Sequence, residues 1–192
     1  YVEIQNIGES TVDLTDYTMG GVEFTFPSFS LDADEYVVIS INESALMNNF
    51  ETESFQWTSG ALKNGGEKVS LFDNSGNLVD EVDYMSINGW PGAAEGTAGE
   101  GASIELCDPD VDNNNPSNWK ASSASTGITI NDRDLRGTPG DENSPCGAPT
   151  PDYTIQTEGF TFNPADITIG IGETIEWQNT GGTHNVNGST TI

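Results

Sequence analysis

The chain reads as strand after strand. In "YVEIQN", Val2 and Ile4 fall on one face and Glu3 and Gln5 on the other, the period of two that marks a half-buried strand. "STVDLTDYTM" turns Val12 and Leu14 inward, with Tyr17 and Met19 following a turn. "GVEFTFPSFSL" alternates Val22, Phe24 and Phe26 until Pro27 interrupts it. The apolar run from Tyr36 to Ile41 is short enough for a buried strand. "ESALMNNF" is the one segment predicted as helix, one or two turns long. "LKNGGEKVSLFDNSGNLVDEVDYM" predicts a hairpin: Val69 to Phe72, a connection at "DNSG", and a return from Leu78 to Tyr84.

Farther along, "NGWPGAAEGTAGEGAS" reads as a loop, "SIELC" as a strand and "DPDVDNNNPSNW" as a polar loop ending on a packed aromatic. "SASTGITINDRDLRGTPGDENSPCG" is predicted to be mostly irregular. Strands recurring every roughly 8–12 residues with turn residues between them imply an antiparallel sandwich or barrel. No helical segment is long enough for the crossover of a parallel doubly wound sheet. "GAPTPDY" has no apolar periodicity and two prolines, so residues 148–152 are expected to be a semi-rigid linker. It separates a first domain, 1–147, from a second run of strand patterns, 153–192.

Composition narrows the function classes. The 192 residues hold 31 acidic and 5 basic side chains, a net charge of −26. Such a surface repels phosphate backbones, so nucleic acid is not an expected partner. No apolar run approaches the roughly 20 residues that span a bilayer, and membrane insertion is not expected. The acidic residues are interspersed with Val, Ile, Phe and Trp, which is the pattern of a folded acidic module, not of a disordered tail. The chain starts within a strand at Tyr1 and without methionine, and is expected to be a portion of a longer protein.

The candidate chemistry is sparse. Cys107 and Cys146, with 38 residues between them, are expected to form a disulfide; two buried free thiols are the alternative. Asp108, Asp110 and Asp112 in "DPDVDNNN" place carboxylates at spacing two on a flexible loop, which makes them calcium candidates. The EF-hand pattern fails there, since its sixth position is Asn113 and its twelfth Trp119. Trp57, Trp90 and Trp119 are expected in the core; a sugar-binding platform is the other reading. His184 is the only histidine, so no serine–histidine–acid order exists in the first domain and no catalytic residue is assigned.

Four motifs in order give the first portion a likeness. "YVEIQNIGESTVDLTDYTM", "FPSFSLDADEYVVIS", "LKNGGEKVSLFDNSGNLVDEVDY" and "RGTPGDEN" together resemble the lamin-tail domain as it occurs in bacterial secreted proteins. The resemblance implies an immunoglobulin-like β-sandwich, without catalytic apparatus, in an extracellular or cell-surface setting. That family usually has a strand upstream of the position of Tyr1, absent here. "GFTFNPADITIGIGETIEWQNTGGTHNV" is similar to the opening of a plastocyanin-type cupredoxin, implying a truncated Greek-key segment over 153–192. In that family the histidine of the H-[NT]-V element is a copper ligand, which points to His184. No Cys, His or Met follows it, so this fragment is expected to bind no copper, although the parent protein could complete the site.

The expected function is a non-catalytic interaction or spacer module of a secreted or cell-surface multidomain protein with an unidentified protein or surface partner. The alternatives are part of a copper-carrying electron-transfer protein and, third, a calcium-dependent adhesion module. Self-association through the truncated C-terminal strands is a further expectation, because exposed strand edges attract pairing.

Overall fold

A computed structural model describes residues 1–143, 153–158, 161–170 and 175–178. The chain divides into two compact units, Tyr1–Ser144 and Pro145–Ile192.

The first unit is an immunoglobulin-like, all-β body. Its strands run β1 (Val2–Gln5), β2 (Val12–Asp13), β3 (Thr18–Gly20), β4 (Phe24–Thr25), β5 (Ser30–Leu31) and β6 (Tyr36–Ser40). Helix α1 (Glu43–Phe50) follows, then β7 (Phe55–Gln56), β8 (Gly66–Phe72), β9 (Leu78–Met85), β10 (Ile104–Leu106), β11 (Trp119–Ala121), β12 (Ser125–Ile130) and β13 (Arg133–Arg136). One sheet has the order β1-β6-β7, the facing one β4-β3-β8-β9, and β2 pairs with β5. Pairing is antiparallel except for β7, which runs parallel to β6.

The core lies where alternation in the two sheets meets. Met19 is directly opposite Phe24 on one side and Leu71 on the other, so one apolar row crosses the sheet. Val37 and Ile39 of β6 meet it from the other sheet, with Leu14, Val22, Phe26, Leu31 and Trp57 completing the cluster. Phe24, Phe26, Phe29 and Phe55 form a ring-on-ring group; Phe24 and Phe26 meet edge to face at 4.9 Å. The indole of Trp57 donates from Nε1 to the Gly60 carbonyl at 3.1 Å, so the burial of Trp57 leaves no orphaned donor.

After Trp57 the chain passes from one sheet toward the other. Trp57 N donates to Ser40 O, while Thr58 N donates to Glu23 O and Glu23 N to Ser59 O. That bridge protects the β4 side of the four-stranded sheet.

The helix is the segment predicted for it. Asn42 is extended at φ −152° and its side chain accepts from Ala45 N at 2.9 Å, a helix N-cap. Glu51 ends the helix in the left-handed region at φ 58°. Leu46 is its one buried residue.

Two expectations are corrected. The hairpin's first strand starts at Gly66, not Val69. Gly66 has φ +113°, and a Cβ there would collide with the Tyr84 carbonyl of β9, so only glycine lets the strand begin this early. The stretch expected to be irregular contains the β12–β13 hairpin. Asn131 and Asp132 at its tip have φ 51° and 62°, the positive pair that a two-residue I′ turn requires.

In the second unit β14 (Tyr153–Glu158) is central, antiparallel to β15 (Thr161–Asn163) and parallel to β16 (Ile175–Gln178). Phe162 lies opposite Thr157 and Trp177 opposite Ile155, so these side chains share a face. The rings of Phe162 and Trp177 meet edge to face at 5.6 Å.

Candidate functional site

The aspartate loop between β10 and β11 is built by its own side chains. Asp108 Oδ1 accepts from Asp110 N, Asp112 Oδ1 from Asn114 N and Asn115 Oδ1 from Ser117 N, three successive Asx turns. Asn118 Nδ2 donates to Asp112 O, and Trp119 Nε1 to Asn113 O at 2.8 Å. The loop is thereby folded back on β11, and the Trp119 ring sits 5.7 Å from that of buried Trp90. Asn113 Nδ2 reaches both carboxylate oxygens of Asp80 at 2.9 Å, and Asn114 binds the backbone of β9 on both of its polar ends. Among the described residues no three His, Cys, Asp or Glu side chains gather in a way that could hold a metal ion, and this includes Asp108, Asp110 and Asp112.

A second acidic group lies over the outer face of β1, and sequence reasoning did not find it. Side chains of β1 and β6 alternate, so Glu3 and its register partner Val38 point away from the main core. The segment Gly137–Asn143 covers this face. Gly140 N donates to Glu3 Oε2 at 2.5 Å, and Thr138 Oγ1 to Glu105 Oε1 at 3.1 Å. Thr52 Oγ1 donates to Pro139 O, Gly137 N to Ala124 O, and Asn143 Nδ2 to Leu106 O. Glu105, from β10, is only 3% exposed; Lys120 of β11, its register partner, has its Nζ 3.9 Å away. Burial pushes the Glu3 carboxyl up to about 7; the Gly140 amide draws it down, and the charges of Glu105 and Asp141 push it up again. Tyr1, on the same face, has its phenol raised, mainly by burial. The signal available in the sequence was a lone Glu on an otherwise ordinary strand, which is indistinguishable from a solvent-facing residue.

Four of the five basic residues are committed to ion pairs. Lys68 reaches Glu81 at 2.7 Å, Lys120 Glu105 at 3.9 Å, Arg133 Glu100 at 2.7 Å and Arg136 Asp134 at 3.8 Å. Arg133 grips Glu100 with two nitrogens, the geometry that makes a guanidinium pair specific. The remaining carboxylates leave a strongly negative surface.

Among the other predicted site residues, Cys107 is disulfide-bonded, and no free cysteine occurs among the described residues. Cys146 and His184 lie outside the described residues. No helix among the described residues is long and apolar enough to cross a membrane.

Two facing sheets around one apolar cluster, with short strands and tight connections, define an immunoglobulin-like β-sandwich. The family model described as Lamin Tail Domain matches residues 1–86, which run from β1 through the β8–β9 hairpin. Lamin tail domains are in general non-catalytic modules of this fold. No curated protein matches the chain, and no solved structure does. The family match ends at residue 86, so the likeness of residues 153–192 to a cupredoxin finds no counterpart in it.

Proposed function

We propose that the first unit is a non-catalytic interaction or spacer module of a secreted or cell-surface multidomain protein. The observation that carries this reading is the lamin-tail match over residues 1–86 of the sandwich. Among the described residues every buried side-chain nitrogen and oxygen has a hydrogen-bond partner, as a well-packed sandwich requires. The disulfide at Cys107 favours an oxidising compartment. The negative surface suits a soluble extracellular module and a partner of basic character.

Two measurements test this. Incubating the full chain with ester, phosphoester, peptide and glycoside substrates should give no turnover. A turnover abolished by one carboxylate substitution overturns the non-catalytic reading. Fractionation of the native host should place the protein outside the cytoplasm with Cys107 oxidised; a cytosolic pool with a free thiol overturns the secreted setting.

A further inference from the structure

Asn42-Glu43-Ser44, at the start of α1, is the Asn-x-Ser triplet at which secreted chains accept N-linked sugar. The triplet alone is common, but here the fold divides the Asn42 side chain between two uses. Its Oδ1 accepts from Ala45 N at 2.9 Å as the helix cap. Its Nδ2 donates to no group among the described residues, and the Ser44 hydroxyl makes no hydrogen bond among them. Asn42, Glu43 and Ser44 are all exposed. The cap needs the oxygen of Asn42, and glycosylation needs the nitrogen.

Asn42 also stands on the wall of a pocket of about 140 Å³, lined by Tyr1, Ile41, Ala45, Leu46 and Phe50. The rings of Tyr1 and Phe50 meet edge to face at 6.1 Å, and Ile41 is 56% exposed. Apolar surface is therefore left in water next to an unused amide nitrogen. We propose that Asn42 carries an N-linked glycan whose first sugar lies against this pocket. A sugar ring suits the place, because its C–H face covers the apolar side chains while its hydroxyls stay in water.

This inference rests on the secreted setting proposed above, because the donor is a sugar held on a polyprenyl diphosphate in a membrane that exported chains cross. Asn42 Nδ2 bonds to the anomeric carbon of that sugar as the carbon's bond to the diphosphate oxygen breaks. The polyprenyl diphosphate leaves with the electron pair, and the amide nitrogen gives one proton to the transferase. One N–H remains and Oδ1 is unchanged, so the product still accepts from Ala45 N and the cap survives. The backbone agrees with this, since Asn42 is extended at φ −152° and the helix begins only after it.

The test is peptide mapping by mass spectrometry on the protein recovered from its own host. Mapping separates Asn42 from Asn187, which heads a second such triplet. The peptide holding Asn42 should carry sugar mass; Ser44→Ala should remove it, and Ser44→Thr should keep it. An amidase that releases N-glycans turns Asn42 into Asp, which preserves the cap acceptor. The fall in melting temperature on release, about 2–4 °C, therefore reports the lost sugar contact. Asn42→Asp should melt with the released protein. A bare Asn42 on a protein found outside the cytoplasm overturns the glycan and leaves the secreted reading standing. A cytosolic protein overturns the secreted reading and the glycan with it. Sugar at Asn42 with no change in melting temperature on release overturns the pocket contact.

Discussion

The side-chain carbonyl of Asn114 accepts from the backbone amide of Asp83 at 3.0 Å. Its Nδ2 closes the pair by donating to Glu81 O at 2.8 Å. One side-chain amide thus takes the place of a neighbouring strand on the outer edge of β9. An uncovered edge is a template for pairing with another chain, and the aspartate loop covers it with a residue that carries both a donor and an acceptor.

Asn114→Ala should therefore cost about 1 kcal/mol, because the freed β9 groups fall back on water. The larger effect should be on association, since the exposed edge can then recruit a second chain. Urea unfolding reads the first and light scattering at rising protein concentration the second. Asn114→Asp replaces the amide donor with a second acceptor and should behave like the alanine variant.

Phe26 is 1% exposed and touches three other phenylalanine rings, so Phe26→Ala should destabilise the sandwich by about 3–5 kcal/mol. Equilibrium denaturation with fluorescence detection measures it. A cost under about 1 kcal/mol would mean that this ring is not at the centre of the core.

Asn42→Ala should remove the α1 cap and cost about 1 kcal/mol, whereas Asn42→Asp should be close to neutral. Helical circular dichroism would change little, since α1 is the single α-helix among the described residues. Thermal unfolding is the better readout.

The β8–β9 turn should be sensitive to acid, opposite in sign to Glu3. Asp73 has its carboxyl drawn below the ordinary 3.8 by the Asn77 side chain first, then by the amides of Asn77, Ser75 and Gly76. Its contribution is present above 3.8 and is lost as pH falls through the depressed native value. Amide exchange at Asn77 should accelerate in that acid range beyond the intrinsic trend, and Asp73→Ala should show the acceleration at every pH.

Joined to Cys146, Cys107 would close a loop whose constraint on the unfolded chain is worth about 3–4 kcal/mol. Reduction should lower the denaturation midpoint accordingly, and peptide mapping without reductant should recover the two cysteines in one linked pair. Recovery of Cys107 linked to another molecule instead would contradict the pairing.

The amino-acid sequence determined whatever depends on neighbours within a few residues. Alternation in "YVEIQN" and "GVEFTFPSF", the capped "NESALMNNF" and the "DNSG" connection each carry their geometry locally, and the strands and the helix lie where those patterns put them. The Asn131–Asp132 turn falls in a stretch that reads as irregular, because β12 lies mostly exposed and only a buried face makes alternation conspicuous. Tertiary structure alone decided that Asn114 would serve as a strand edge and that Glu3 would lie under Gly140, 137 positions away. Burial and charge proximity at such separations are set by how sheets and straps pack. A carboxyl written next to Val2 and Ile4 looks the same in sequence whether water or a second carboxylate faces it.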